Sequence, residues 1–123
     1  MRTFALLSVA LLGLLIAFLQ LLATHYFLYW EFWWYDIMMH FLGGLFIGTG
    51  FLWFLYFEFS HLVKRIPIFA VTFLAVLGVG IAWEIFEYVT NSYNASNYTL
   101  DTSLDIAMDI AGMMVAYLLF KRL

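Results

Sequence analysis

Four long apolar stretches constrain the fold of this chain more than any other feature of its sequence. They cover residues 4–27, 35–57, 66–88 and 104–120. An α-helix needs about 20 apolar residues to cross the roughly 30 Å hydrocarbon core of a bilayer. Because these stretches take up most of the 123 residues, they predict one all-α domain over residues 1–123, an antiparallel bundle of four transmembrane helices.

Composition excludes several other classes of protein. The chain is 67% hydrophobic and 11% charged, whereas soluble domains are roughly 45–50% apolar and 25% charged. Five Lys and Arg against eight Asp and Glu cannot form a phosphate-binding surface, so nucleic acid is excluded as a partner. The first apolar run is longer than the 7–15 residues of a signal-peptide core, which predicts a retained helix.

The basic residues predict how the bundle is oriented. They lie at the N-terminus, between the second and third apolar stretches, and at the C-terminus. These residues are Arg2, Lys64, Arg65, Lys121 and Arg122. An even number of spans places all of them on one side, and the positive-inside rule makes that side cytoplasmic, with both termini.

The two connections on the opposite side differ in character. Residues 26–34 are crowded with Tyr and Trp, which favours an interfacial aromatic belt over a ligand-stacking surface. Residues 89–103 contain many Asn, Ser and Thr, which predicts a polar loop. Neither connection contains Lys or Arg, so the two sides of the bundle are chemically distinct.

Three pairs of acidic or imidazole side chains lie one helical turn apart within or beside the predicted spans. They are Asp36 and His40, Glu84 and Glu87, and Asp105 and Asp109. Counted from the basic end at 1.5 Å per residue, the first two pairs are level, but the third lies only about 18–24 Å from Lys121. The fourth helix therefore joins the same layer only if its basic end projects less far or the helix is displaced outward.

The charge balance of this outer half indicates what the three pairs bind. Seven carboxylates lie there with no Lys or Arg, and an isolated charge near the bilayer centre costs about 2.5–3.5 kcal/mol. Oxygen ligands with one imidazole suit Mg²⁺, Mn²⁺, Ca²⁺ or Zn²⁺, and the number of carboxylates allows two ions. All six paired residues are therefore candidate metal ligands. The alternative is a protonated, hydrogen-bonded carboxyl network that joins the helices.

The motifs formed by these pairs resemble those of VanZ-like membrane proteins. The segments Asp36-Ile-Met-Met-His40, Glu84-Ile-Phe-Glu87 and Asp105-Ile-Ala-Met-Asp109-Ile-Ala-Gly112 resemble, in order and spacing, D-K-x-x-H, E-x-x-Q and D-x-x-x-N-x-x-G. The stretch Asp101-Thr-Ser-Leu-Asp105 is most similar to the YjdF-type small membrane proteins of the same superfamily. The resemblance extends from residue 35 to the end of the fourth helix.

The resemblance implies a prokaryotic plasma-membrane protein with a ligand related to the cell envelope, since VanZ-like proteins are linked to glycopeptide resistance. Three positions depart from the family pattern. Its Lys is Ile37 here, its Gln is Glu87 and its Asn is Asp109. All three changes make the site more negative, which favours a metal-loaded variant and puts in doubt any role that depends on the lysine.

Three functions fit this sequence. The first is a metal-dependent hydrolase acting on a lipid-linked or envelope substrate, with Glu87 or Asp105 as the general base. The second is a non-catalytic, metal-stabilised scaffold that contacts membrane lipid, a glycopeptide or another partner. The third, a cation or proton translocation module, is less favoured because the inner halves of the helices offer no second polar station. The sequence leaves enzyme and scaffold open.

Overall fold

The computed structural model describes residues 2–91 and 97–122, and no strand occurs among them. The helices in this described part are α1 (Arg2–Tyr26), α2 (Leu28–Glu31), α3 (Trp33–Phe57), α4 (Ser60–Val63), α5 (Ile68–Thr90) and α6 (Tyr98–Phe120). Four of them, α1, α3, α5 and α6, are long and apolar enough to cross a membrane. The predicted all-α bundle of four membrane helices is confirmed.

Capping residues set the ends of the helices that flank the polar connection. Helix α5 is capped by Asn91, which has a φ of 55° and donates its backbone N–H to the carbonyls of Glu87 and Tyr88. Asn is one of the few residues other than glycine that accept this left-handed conformation after a helix. Helix α6 begins after Asn97, whose side chain accepts a hydrogen bond from the backbone N–H of Leu100. This is an ordinary N-cap.

Helix α6 begins at Tyr98, whereas the sequence predicted a start at residue 104. The prediction followed the apolar run, and hydropathy does not detect the polar first turn that Asn97 caps. The expected loop over residues 89–103 is therefore shorter than predicted, and its residues 92–96 lie outside the described part. The aromatic connection also contains regular structure. It includes the short helix α2, which begins after Phe27, a residue in the left-handed conformation with a φ of 56°.

Helix α3 is the centre of the bundle and packs against α1, α5 and α6. Its closest approach is to α6, at Gly44 and Gly112. A Cβ atom on Gly44 would overlap the backbone carbonyl of Asp109, and one on Gly112 would overlap that of Phe41. Small residues allow membrane helices to approach this closely, and here they bring Asp109 against α3.

The apolar core lies towards one end of the bundle. Ala5, Leu52, Ala116 and Phe120 form a buried cluster on the side of Arg2 and Lys121, which we call the basic end. We call the opposite end, where α5 terminates and α6 begins, the acidic end. The three helices α3, α5 and α6 meet there around polar side chains instead.

Candidate metal centre

The predicted pairs on α3, α5 and α6 lie at the same depth. His40, Glu84 and Asp105 are each about 9–11 Å from the acidic-end terminus of their own helix, at 1.5 Å per residue. The early start of α6 thus explains how Asp105 reaches the level of His40. Depth measured from Lys121, with a shorter predicted helix, puts the pair of Asp105 and Asp109 too deep in the membrane.

The two ring nitrogens of His40 face different partners. Nδ1 lies 3.3 Å from both carboxylate oxygens of Asp109. Nε2 lies 3.8 Å from Oδ1 of Asp36, 3.7 Å from Oε1 of Glu84 and 3.9 Å from Oδ2 of Asp105. An acceptor at one ring nitrogen fixes the tautomer in which the other nitrogen keeps its lone pair. When Nδ1–H donates to Asp109, the lone pair of Nε2 lies on the side of the three carboxylates.

Two of these carboxylates, those of Glu84 and Asp105, are buried with part of their hydrogen-bonding capacity unused. The Asp105 side chain is 1% exposed and that of Glu84 is 5% exposed. Within the described residues, both carboxylate oxygens of Asp105 and Oε1 of Glu84 have no hydrogen-bond partner. Leaving such groups unsatisfied costs about 1–3 kcal/mol each, and more when they are charged. The site therefore needs a positive charge or a donor that these side chains do not supply.

The ion pairs show how little positive charge the protein itself brings here. Among the described residues, the acids of this cluster pair only with His40. The other ion pair joins Arg2 to Glu58 at the basic end. Four carboxylates around one imidazole remain negative even when that imidazole is protonated.

The spacing of the donor atoms fits a divalent cation. Two overlapping groups, Asp36–His40–Asp105 and His40–Glu84–Glu87, each place three ligand atoms within 4.8 Å of one another. An ion bound at about 2.0–2.2 Å requires ligand atoms about 3–4 Å apart. Five of the six predicted residues thus belong to these two groups, whereas Asp109 contacts His40 through Nδ1. The buried histidine and its carboxylates can hold a metal ion.

Two residues outside the six predicted ligands position Glu84. Thr102 donates its hydroxyl to Oε2 of Glu84 at 2.7 Å, and Tyr98 donates its hydroxyl to the Glu84 carbonyl at 3.0 Å. Tyr98 and Thr102 fall in the predicted loop over residues 89–103, because the predicted fourth helix begins only at residue 104. Tyr98, Thr102, Asp105 and Asp109 follow an i, i+4, i+7, i+11 pattern, which places them on one helical face. That periodicity, with Asn97 as a cap, is the signal that identifies them.

A cleft of about 430 Å³ opens beside the cluster between α1, α3 and α5. Asp36, His40 and Glu87 line its polar end. The indole Nε1 of Trp83 donates to Oε1 of Glu87 at 3.0 Å. Glu87 is only partly buried, and its side chain lines the open space of the cleft.

The aromatic residues of α2 and of the first turn of α3 do not all belong to an interfacial belt. Trp30 and Trp33 are 60% and 82% exposed, as the belt interpretation expects, but Tyr35 is buried and donates its hydroxyl to the Leu19 carbonyl at 2.8 Å. Tyr29 lines the cleft and donates its hydroxyl to Oε1 of Gln20 at 2.6 Å. Burial raises the pKa of the Tyr29 phenol above its ordinary value, and the neighbouring carboxylate of Asp36 adds to this effect. Tyr29 therefore remains protonated and a hydrogen-bond donor.

Comparison with known proteins adds one finding to this geometry. A family model described as "Predicted membrane protein (DUF2238)" matches residues 2–123. No curated protein and no solved structure matches the chain.

Proposed function

The chain belongs to the DUF2238 family of predicted membrane proteins, and from this premise we propose that it is a membrane-embedded, divalent-metal-dependent hydrolase of a lipid-linked or envelope substrate. One observation carries the metal assignment. Three buried carboxylate oxygens that have no hydrogen-bond partner among the described residues lie in the cluster around His40, whose Nε2 is within 4 Å of one oxygen each of Asp36, Glu84 and Asp105. A hard or borderline ion such as Mg²⁺, Mn²⁺, Ca²⁺ or Zn²⁺ satisfies them together.

The six residues take different roles in this proposal. Asp36, His40, Glu84 and Asp105 are the ligands, and a second ion has room only if Glu87 also coordinates. Asp109 orients His40 through Nδ1, as carboxylates commonly do for metal-bound histidines. Of the two candidate bases, Glu87 suits the role better than Asp105, because it faces the cleft while Asp105 is buried.

An ion held by Asp36, His40, Glu84 and Asp105 would supply Lewis-acid chemistry to the scissile phosphate or ester group of the substrate and to a water molecule. Glu87 accepts a proton as the water oxygen forms its new bond to phosphorus or carbon. The bond to the leaving oxygen then breaks, and that oxygen receives the proton. Trp83 holds Oε1 of Glu87, which leaves Oε2 to take the proton.

We further propose the finer relationship and location that the motifs suggest. The chain is a divergent relative of the VanZ-like and YjdF-type proteins in a prokaryotic plasma membrane, with both termini cytoplasmic and the cluster near the outer surface. The motif positions on α3, α5 and α6 support this relationship because all three converge on His40.

A non-catalytic scaffold is the second candidate. The cluster joins α3, α5 and α6 at one buried point, so an ion there would also stabilise the bundle. The scaffold needs no base in the cleft, and this difference distinguishes the two functions.

Ion binding is tested with Glu84→Gln, which keeps the size of the side chain but removes its charge. We expect purified wild-type protein to contain a stoichiometric divalent ion at neutral pH, and to melt at a lower temperature after EDTA treatment. Glu84→Gln should have lower ion occupancy and a lower melting temperature. Elemental analysis for all four metals and melting in detergent measure both. Wild type and variant that melt alike, with and without EDTA, would instead support the protonated network.

Catalysis is tested with Glu87→Gln in vesicles that contain a phosphatidic acid or a polyprenyl diphosphate. We expect wild-type protein to release inorganic phosphate, EDTA to abolish the release, and Glu87→Gln to reduce it about 10²-fold or more while an ion remains bound. Glu31→Gln, an exposed acid on α2, is the matched control and should retain full activity. An ion-loaded wild type that releases no phosphate from either lipid would favour the scaffold.

A further inference from the structure

Helix α1 is fastened to α3 at both ends. At the basic end Arg2 pairs with Glu58, and the Arg2 carbonyl accepts a hydrogen bond from Nε1 of Trp53 at 3.2 Å. At the acidic end Ala23 is fully buried and the Leu19 carbonyl accepts the hydroxyl of Tyr35. The middle of α1 lies between these two attachments.

This middle segment lines the cleft instead of filling it. Gly13, Ile16, Ala17 and Gln20 form the α1 wall, opposite residues 76–87 of α5. On the α5 side, Val79 and Trp83 are 49% and 48% exposed. In a transmembrane bundle these exposed walls face lipid, so the cleft is accessible sideways from the bilayer.

The cleft is polar at one end and apolar along the rest of its length. From the cluster at His40 it continues past Gly43 and Phe46 to Ile47, about 10 Å farther along α3. On α5 it extends from Glu87 to Val76, about 16 Å. Its volume lies within the usual range of about 300–1,000 Å³ for ligand pockets.

We infer that the cleft binds the hydrocarbon chain of one bilayer lipid, which enters between α1 and α5 and presents its head group to the His40 cluster. The polarity of the two ends carries this inference. A wholly apolar molecule would leave the carboxylates at one end without a partner, and a soluble polar ligand would leave the apolar length unmatched. An amphiphile satisfies both. The identity of the head-group site rests on the proposed function, but chain binding does not.

The test uses wild-type protein in phosphatidylglycerol vesicles doped with phosphatidylglycerol that carries a diazirine in its acyl chain. After irradiation, mass spectrometry compares labelling of Met39 and Phe46 in the cleft with labelling of Leu118, which is 52% exposed on α6. We expect the cleft residues to be labelled several-fold more than Leu118, because a chain held in the cleft keeps the diazirine against the same few residues, whereas mobile annular chains spread their labelling over many exposed residues.

Two substitutions fill the cleft. Among the described residues, a Cβ on Gly43 meets only Oδ1 of Asp109, at 3.8 Å, so Gly43→Leu should enter the cleft. Ala17→Phe fills it from the α1 wall, away from the metal ligands. Both should lower labelling of Phe46 to the level of Leu118. Gly78→Leu is the matched control, since no atom of another described helix lies within 4 Å of a Cβ there, and it should label like wild type.

Equal labelling of Phe46 and Leu118 in wild type would overturn the inference. So would a dimer in native mass spectrometry whose cleft residues are protected from the lipid probe, because a second copy would then occupy the cleft. Metal content measured on the same samples separates the two proposals. Labelling of the cleft without bound metal defeats the metal site alone, and bound metal without labelling of the cleft defeats the lipid site alone.

Discussion

At the scale of single residues, the orientation of one imidazole organises the candidate site. His40 contacts Asp109 through Nδ1, and its Nε2 faces Asp36, Glu84 and Asp105. A lysine in the place of His40 would also pair with the four acids, but its ammonium group would not provide a nitrogen ligand for a metal ion. The contact with Asp109 therefore decides whether His40 serves as a ligand or as a counter-ion.

Asp109→Asn tests this orienting role. An amide can donate to Nδ1, which would place the proton on Nε2 and remove the metal-binding lone pair. We expect metal affinity to fall about 10–100-fold, as for other residues that orient a metal ligand, measured by calorimetric titration in detergent. Glu31→Gln should leave the affinity unchanged. An Asp109→Asn protein that binds metal like wild type would show that Asp109 does not orient His40.

At the scale of helices, the contact between α3 and α6 brings the site together. Gly44 and Gly112 leave no space for a side chain at the crossing, since added Cβ atoms would overlap backbone carbonyls of the facing helix. This crossing fixes the distance from Asp105 and Asp109 to His40. Packing and chemistry are thus coupled through two glycines that carry no functional group.

Gly44→Ala tests this coupling. The added methyl group forces α3 and α6 apart, which costs about 1–3 kcal/mol and moves Asp109 away from Nδ1. We expect a lower melting temperature together with weaker metal binding, measured on the same preparation. Gly78→Ala has open space around its Cβ and should melt at or slightly above the wild-type temperature. Unchanged metal binding by a destabilised Gly44→Ala would separate packing from the site.

At the scale of the whole molecule, the two ends of the bundle differ in what is buried: apolar side chains at the basic end and polar side chains at the acidic end. The apolar cluster around Leu52 holds the basic end together. The acidic end holds the buried polar groups, where binding of an ion would add to stability. Removal of metal should therefore loosen the acidic end first and leave the basic end folded.

Membrane topology is predicted from the basic residues, all of which lie at one end. The chain contains no cysteine, so Glu31→Cys in α2 and His61→Cys in α4 introduce unique labelling sites. In intact cells we expect a membrane-impermeant maleimide to react with the cysteine at position 31 and not with that at 61, because the positive-inside rule places α4 in the cytoplasm. The reverse pattern would invert the bundle and place the cluster near the cytoplasmic surface.

The sequence alone determined the four membrane helices and the residues of the candidate site. Both depend on local information, since hydropathy over about 20 residues identifies a span and a spacing of three or four residues places two side chains on one helical face. The excess of carboxylates over basic groups in one half was also readable without a structure. Hydropathy alone does not identify Thr102 and Tyr98, because they lie in the polar first turns of α6, which begins after the N-cap at Asn97.

Only the tertiary structure decided which acid meets which nitrogen, and that a cleft opens beside them. Those features depend on the axial shift and rotation of α6 against α3, which the overlapping surfaces at Gly44 and Gly112 set. They also depend on the attachment of α1 at its two ends, which leaves its middle apart from α5. Such contacts join residues far apart in the chain, so no local pattern encodes them.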